Sequence, residues 1–382
     1  MIETTTSGVS VAPERLRAAV RAIVSRGGSA EREARLVAEQ LVEANLTGHD
    51  SHGVGMLPRY VEALAEGGLR VDQQLSVLTD AGALLMLDGN AGYGQVMAFD
   101  AMRLGIERAA EHGVAVVGLA NSHHIGRIGH WAEQCVAAGY VSIHFVNVIA
   151  KPVVAPFGGR DARFVTNPFC VGIPMPNGEP VLLDFATSRT AMGKVRVAFN
   201  KGERLEPDTL LDAHGEPTDD PGALFVEPGG AILPFGSHKG YGMAVVCEIL
   251  GGALAGGRTL HERPTRRSII NNMLTFIVDP DRLGTAERLA REAMAFADWV
   301  RASPPMAGVD RVRLAGDPER EWRAARAQAI PIDATTWRQI VEAADELGLP
   351  KDELNRIAEP QALAAVAGPP QDSSVPPRGA RA

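Results

Sequence analysis

Residues 114–146 read VAVVGLANSHHIGRIGHWAEQCVAAGYVSIHFV, and their pattern decides the fold class. Val114 to Leu119 is a short apolar, β-branched run of the kind that forms a strand buried on both faces. The polar stretch Asn121-Ser122-His123-His124-Ile125-Gly126 follows, and helical periodicity then runs from about Ile128 to Ala138. A second apolar run, Val141–Val146, closes the unit. Strand, loop, helix and strand within 33 residues predict an α/β domain with a histidine-bearing loop at a strand end, where ligand-binding loops concentrate.

Working outward, Leu75–Leu78 and Ala83–Leu87 read as short strands leading into a helix from Gln95 to His112. Further strands are expected at Val181–Phe185 and Met273–Val278, with a buried helix at Tyr241–Ala255. The flanks are helical. After an unstructured start, Pro13 opens a helix ending at Gly27-Gly28, and Ser29 is the expected cap of the next, with Glu31 and Glu33 in its first turn. A third helix carries Leu57, Tyr60, Val61 and Leu64, and the C-terminal side ends with helices at Thr335–Leu347 and Asp352–Val366. The expected organisation is a helical segment, 1–74, packing with 286–366, around a central α/β domain, 75–285. The tail, 367–382, is rich in Pro, Gly, Ser and Arg and should be disordered.

Composition narrows the function. The 382 residues are 45% hydrophobic and 22% charged, as in ordinary globular proteins, and the net charge of −8 offers no clustered basic face for nucleic acid. Apolar runs fall far short of the roughly 18 residues that span a membrane, and the N-terminus lacks the order of a signal peptide. Three scattered cysteines in apolar sequence suit buried thiols in a reducing cytoplasm.

Four of the ten histidines lie in two patches, Gly48-His49-Asp50-Ser51-His52-Gly53 and the Asn121–Gly126 stretch. Imidazole moves protons near neutral pH, so His52 is a candidate general acid/base with Ser51 as its hydrogen-bond partner. A solvated helix C-cap is the competing reading. In the second patch, backbone N–H groups at a helix start beside Arg127 would suit an anion, against an ordinary strand–helix turn. Asp184, flanked by apolar residues, needs a partner such as an imidazolium if buried, or else caps a helix near Ser188. Lys239, at the start of a helix after a glycine-dense loop, opposes the helix dipole unless an anion lies between, though an exposed loop lysine is as good a reading. A metal-dependent hydrolase built on His49, His52, His123 and His124 is an alternative without the usual carboxylate–histidine spacing, and no metal is expected. No G-x-G-x-x-G, P-loop, G-x-S-x-G or H-E-x-x-H motif is present.

The segments GHDSHGVGMLPRYVEAL (48–64), NSHHIGRIGHWAEQ (121–134), TNPFCVGIPMP (166–176), LLDFATS (182–188) and HKGYGMAVVCEILGGALAGG (238–257) resemble the type-2 malate/L-lactate dehydrogenase family, which includes ureidoglycolate dehydrogenase and diketogulonate reductase. The likeness covers about residues 12–366 and is nearest the bacterial hydroxycarboxylate dehydrogenases. It implies a non-Rossmann nicotinamide-binding α/β fold, NAD or NADP as cofactor, interconversion of 2-hydroxy and 2-oxo acids, and a homodimer. By the same resemblance His52 is the proton donor, with Ser51 and Asp184 in its relay, and His124 is a rival acid/base. Cofactor-contacting positions are then His52, Arg127, Ile128, Gly129, Leu183, Asp184, Phe185, Ala186, Thr187, Lys239, Asn271, Gly316, Asp317, Pro318 and Glu319, and Thr166 touches substrate. Many members carry an arginine where this chain has Met56. Arg59 or Arg196 are the candidate substitutes as substrate-carboxylate anchor, and a bulkier substrate or a cyclic imine carboxylate becomes admissible.

Overall fold

In the computed structural model, residues 8–262 and 268–363 are described. The expected disordered tail, 367–382, lies outside them. Strand β1 (Val9–Val11) precedes α1 (Pro13–Arg26), α2 (Glu31–Leu46) and α3 (Leu57–Ala65). The start is therefore ordered from Gly8, contrary to expectation, because β1 gains backbone partners from the far end of the chain. Ser29 does not cap α2. Ala30 takes that place, and its N–H donates to the Asp72 carboxylate at 3.0 Å.

The central sheet begins with β2 (Ser76–Ala81) and β3 (Leu84–Asp88). Helix α4 (Gly94–His112) connects β3 to its parallel neighbour β4 (Val114–His123), and α5 (Gly129–Ala137) leads on to β5 (Val141–Ile149), β6 (Phe169–Ile173) and β7 (Val181–Phe185). Gly105 of α4 is required by contact: a Cβ there would lie 2.7 Å from Val117 and 2.8 Å from Ile277. A small lobe follows, with α6 (Met192–Lys201) and a sheet of β8 (Leu210–Leu211), β9 (Pro217–Thr218) and β10 (Ala231–Ile232) around Val154, Val195, Leu210 and Ile232. The helix expected near Ser188 begins at Met192 and is not capped by Ser188, which bridges to Pro234 while residues 189–190 bend.

The helix expected at Tyr241–Ala255 is α7 (His238–Val246) continued by a π-helical stretch, Cys247–Leu254. Strand β11 (Ile270–Val278) then inserts between β4 and β5, antiparallel to both, giving the order β2-β3-β4-β11-β5-β6-β7. The chain ends with α8 (Ala286–Arg301), α9 (Asp317–Ala325), β12 (Ile330–Ile332), α10 (Ala334–Glu346), α11 (Lys351–Ala358) and β13 (Gln361–Ala362). Helix α11 packs on α1 and α10 on α3, so helices from both flanks share a layer, while β1 pairs antiparallel with β12 and β13. Helices α4 and α5 cover one face of the large sheet and the π-helical stretch covers part of the other. The main core lies between the helical layer and the covered face, centred on residues such as Leu41, Tyr60, Met97, Val117 and Trp131.

Candidate functional site

The His52 loop is shaped by buried polar anchors. Gly48 turns with φ +83° against the Trp322 ring, where a Cβ would come within 2.7 Å. Asp50–His52 then forms one tight turn. Asn45 of α2 grips both ends of that turn: its Nδ2 donates to Asp50 at 2.6 Å and its Oδ1 accepts from Val54 N–H at 2.8 Å. Arg326, just beyond α9, reaches Asp50 with both terminal nitrogens, at 2.8 and 3.1 Å, and lies 4.6 Å over the Trp322 ring. Asp50 is thereby a scaffold residue.

His52 and His124 meet as a stacked pair, ring centroids 5.6 Å apart and 17° from parallel. Each Nδ1 is pinned to a hydroxyl: His52 to Ser51 Oγ at 3.0 Å, His124 to Tyr60 OH at 2.8 Å. Gln95 Nε2 donates in turn to Tyr60 OH at 2.7 Å. Neither Nε2 has a protein partner among the described residues. Burial pushes the His52 imidazole down to about 4, helped by His49 and Arg127 and opposed by the Asp184 carboxylate. Burial also holds His124 well below the usual imidazole range, with repulsion from His52 and His123 adding to it. Both rings are therefore neutral at pH 7, and the histidine stretch is partly strand, since β4 extends to His123.

The anion seat expected at the start of α5 is filled by the chain itself. Gly129 N–H donates to Asp184 Oδ2 at 2.7 Å, and the next two N–H groups bond to Arg127 and Ile128 carbonyls. Asp184 thus does not hydrogen-bond His52. Ser51 holds the ring, and Asp184 acts on it through space, which replaces the triad-like relay expected from sequence. Arg127, 2% exposed, pairs with Glu133 through one terminal nitrogen, while its Nε and other terminal nitrogen are buried without partners. A Cβ on Gly129 would lie 2.5 Å from that free nitrogen and 2.8 Å from Asp184 Oδ2. Unfilled guanidinium donors beside a glycine with no room for a side chain suit an anionic cofactor group, so these residues fit the implied nucleotide.

The other sequence candidates divide by location. Thr187 bonds through both N–H and Oγ1 to the Thr166 carbonyl, placing the 183–187 segment and Thr166 on one wall, where Phe185 packs edge-on against Phe235. Asn271 has both amide ends engaged, accepting from Ile125 N–H at 3.0 Å and donating to the Asn147 carbonyl at 3.1 Å, so it pins the histidine stretch to the sheet. Gly316 has φ +98°, and Asp317 is held by Arg301 and Arg320. Glu319 accepts from His49 at 3.3 Å, and although burial raises its pKa, His49 and Arg127 hold the net value low. Lys239 is exposed at the start of α7. Arg196, one turn beyond Gly193 where α6 touches Ser51, has its pKa lowered by burial and by the nearby Arg59. The two guanidiniums are thus close enough for their charges to repel.

The four histidines of the metal alternative do not converge. His49 turns to Glu319, His52 and His124 stack, and His123 lies edge-on to Tyr60 with both ring nitrogens unpartnered. Among the described residues no group of three or more His, Cys, Asp or Glu is placed to hold a metal. Sequence reading passed over Tyr60, Gln95, Asn45 and Arg326. A signal existed for Tyr60, since a phenol within an apolar helical stripe still needs a hydrogen-bond partner.

The malate/L-lactate dehydrogenase family profile matches residues 11–341. The chain belongs to the malate/L-lactate dehydrogenase family. This family member is 48% identical to hydroxycarboxylate dehydrogenase B of Escherichia coli K12 over 358 residues, 92% of the chain and 98% of the relative. It is 41% identical to an L-lactate dehydrogenase of Cupriavidus necator, over 82% of the chain and 90% of that protein. A solved structure from E. coli, assigned as a malate/lactate dehydrogenase, superposes with a TM-score of 0.88 at 47% identity, covering 91% and 98% of the two chains. This member of the family is accordingly an oxidoreductase acting on CH–OH groups of hydroxy acids, with a nicotinamide cofactor. No helix among its described residues is long and apolar enough to cross a membrane.

Proposed function

We propose that the chain interconverts 2-hydroxy and 2-oxo carboxylic acids with NAD or NADP, and that His52 exchanges the proton. The observation that carries this reading is the stacked imidazole pair, each Nδ1 engaged by a hydroxyl and each Nε2 without a protein partner. The bound nicotinamide supplies or accepts the hydride. In the oxidative direction a neutral His52 Nε2 takes the hydroxyl proton, and the nearby Asp184 carboxylate stabilises the imidazolium that forms. In the reductive direction the same proton returns to the carbonyl oxygen as negative charge develops there.

Arg59 and Arg196 together anchor the substrate carboxylate in place of the family arginine that Met56 replaces, with Thr166 on the facing wall. Arg127 and Lys239 hold cofactor phosphates, the 183–187 and 316–319 segments line the cofactor, and the Asn271 amide keeps the histidine stretch in register. A second copy of the chain covers the apolar surface around α8, where Phe296 and Trp299 stack while 62% and 73% exposed. Three free, buried thiols suit a cytoplasmic setting.

His52→Ala tests the reading. Turnover should fall by orders of magnitude while NADH or NADPH still quenches tryptophan fluorescence, and near-wild-type turnover would refute the role. A panel of 2-oxo acids run with each cofactor reads the substrate and the NAD or NADP preference together.

A further inference from the structure

We propose that Gln95 and Tyr60 are positioning residues that lock His124 into its Nε2–H tautomer, so that this ring offers a neutral hydrogen-bond donor to the substrate oxygen while His52 alone carries the transferred proton. The substrate half of this inference rests on the dehydrogenase reading above, whereas the tautomer half stands on the protein alone.

The argument is a count of hydrogens. A phenol has one hydrogen to give and lone pairs to receive. Gln95 Nε2 donates to the Tyr60 oxygen at 2.7 Å, which leaves the phenolic hydrogen directed at His124 Nδ1, 2.8 Å away. A nitrogen that accepts a hydrogen bond carries no proton, so the single proton of the neutral ring sits on Nε2. Turning the Gln95 amide around would reverse every bond in this chain. That orientation would strand both amide N–H bonds in a region where Gln95 and Tyr60 are each 1% exposed, whereas the observed one leaves one N–H and Oε1 unpaired. Orphaned buried N–H groups are rarer than under-satisfied carbonyl oxygens, which favours the observed direction.

The backbone enforces the same arrangement. Gly94, at the start of α4, packs so closely on the carbonyls of His123 and His124 that a Cβ would lie 2.3 Å from each oxygen. Its neighbour Gln95 is thus delivered beneath the phenol by the helix start itself, and Tyr60 comes from α3 on the other side. Burial keeps the Tyr60 hydroxyl protonated and keeps His124 uncharged, so the donor sequence is not interrupted by titration near neutral pH. A neutral N–H donor stabilises charge developing on an alkoxide without surrendering its proton, which leaves proton transfer to the ring held by Ser51.

The experiment is 15N NMR of histidine-labelled, full-length protein, with the His124 signals identified by their loss in His124→Gln. The expected spectrum shows a protonated Nε2 and an unprotonated Nδ1 for His124 before any ligand is added. The Nδ1–H tautomer, or an equal mixture, would overturn the proposal. Tyr60→Phe and Gln95→Met should each mix the tautomers and lower kcat by more than tenfold, with NADH or NADPH quenching changed less than twofold. Unchanged kcat in both, or a retained single tautomer in both, would also overturn it. Tyr60→Phe preserves the ring, and the wild-type spectrum needs no variant, so misfolding of one variant does not remove the test. A wild type that shows the Nε2–H tautomer but turns over no 2-hydroxy acid would sink the dehydrogenase reading and leave the lock standing.

Discussion

Mild acid should destabilise this protein well before its carboxylates titrate. His123, His124 and His144 are almost completely enclosed, and His144 is wedged between the hydroxyls of Ser142 and Thr275 at 2.9 and 3.0 Å. Burial pushes His123 down to about 4 and His144 to about 3, and holds His124 well below its ordinary range. The unfolded chain takes up protons on these imidazoles near pH 6.5, whereas the native rings do not. Unfolding therefore binds protons throughout the window between about 6.5 and 4, and stability is full above it and lost as pH falls. At pH 5.5 the loss relative to pH 7 is about 1 kcal/mol for each of His123 and His144, hence about 2 kcal/mol for the two, and His124 acts in the same direction. That figure hardly depends on the two native pKa values, because pH 5.5 lies above both. His52 and His130, less enclosed, add to the same limb. Urea unfolding followed by tryptophan fluorescence at pH 7, 6 and 5.5, with proton uptake measured alongside, reads the effect. His144→Gln should remove about one proton from the slope. A midpoint unchanged between pH 7 and 5.5, or uptake below one proton, would refute the assignment of neutral buried rings.

Four further substitutions probe how the site is held. Arg326→Met removes the two contacts to Asp50, and with the carboxylate half exposed and able to rehydrate the cost should be about 2–3 kcal/mol in urea unfolding, with kcat at least tenfold lower because the His52 turn loses its anchor. Gly94→Ala should cost about 3 kcal/mol or more and abolish turnover, since the new methyl meets two carbonyl oxygens that belong to the site. Arg59→Gln and Arg196→Gln should each raise KM for the 2-oxo acid by about 10- to 100-fold with kcat changed only a few-fold, as expected for losing one charge-assisted bond to a carboxylate. Steady-state kinetics with pyruvate and oxaloacetate would show it, and an unchanged KM in both variants would move the anchor elsewhere.

Much of this was legible in the sequence because the relevant segments are apolar runs or carry helical spacing. Val114–Leu119, Val141–Val146 and Val181–Phe185 read as strands on their apolar character alone, and Leu57, Tyr60, Val61 and Leu64 declared a helix by their spacing. Strand β11 was legible as a strand but not as the neighbour of both β4 and β5, since its partners lie more than 120 residues away and pairing leaves no local mark. Val9–Val11 is too short to show a period, and its pairing partners lie at the opposite end of the chain. Ser51 and His52 stood out by residue type and local composition. Asp184 was visible as an acid in apolar surroundings, but the N–H that satisfies it belongs to Gly129, which only the fold brings near. Tyr60 and Gln95 were hidden for a different reason: one sits within an apolar stripe and the other opens a helix, so their chemistry is apparent only once their neighbours are in place.

The three-stranded sheet with β1 at its centre has a consequence for how the chain can be made and cut. Leu363 N–H donates to the Gly8 carbonyl at 3.1 Å, so positions 8 and 363 lie side by side. A ribosome that has released only the first 300 residues has given β1 neither neighbour, and α1 has α2 to pack on but not α11. The adjacency also means that a short peptide could bridge the two positions while new ends are opened at an exposed turn such as Gly178. Such a rearranged chain would place β1, β12 and β13 close together in sequence and turn a long-range pairing into a local one.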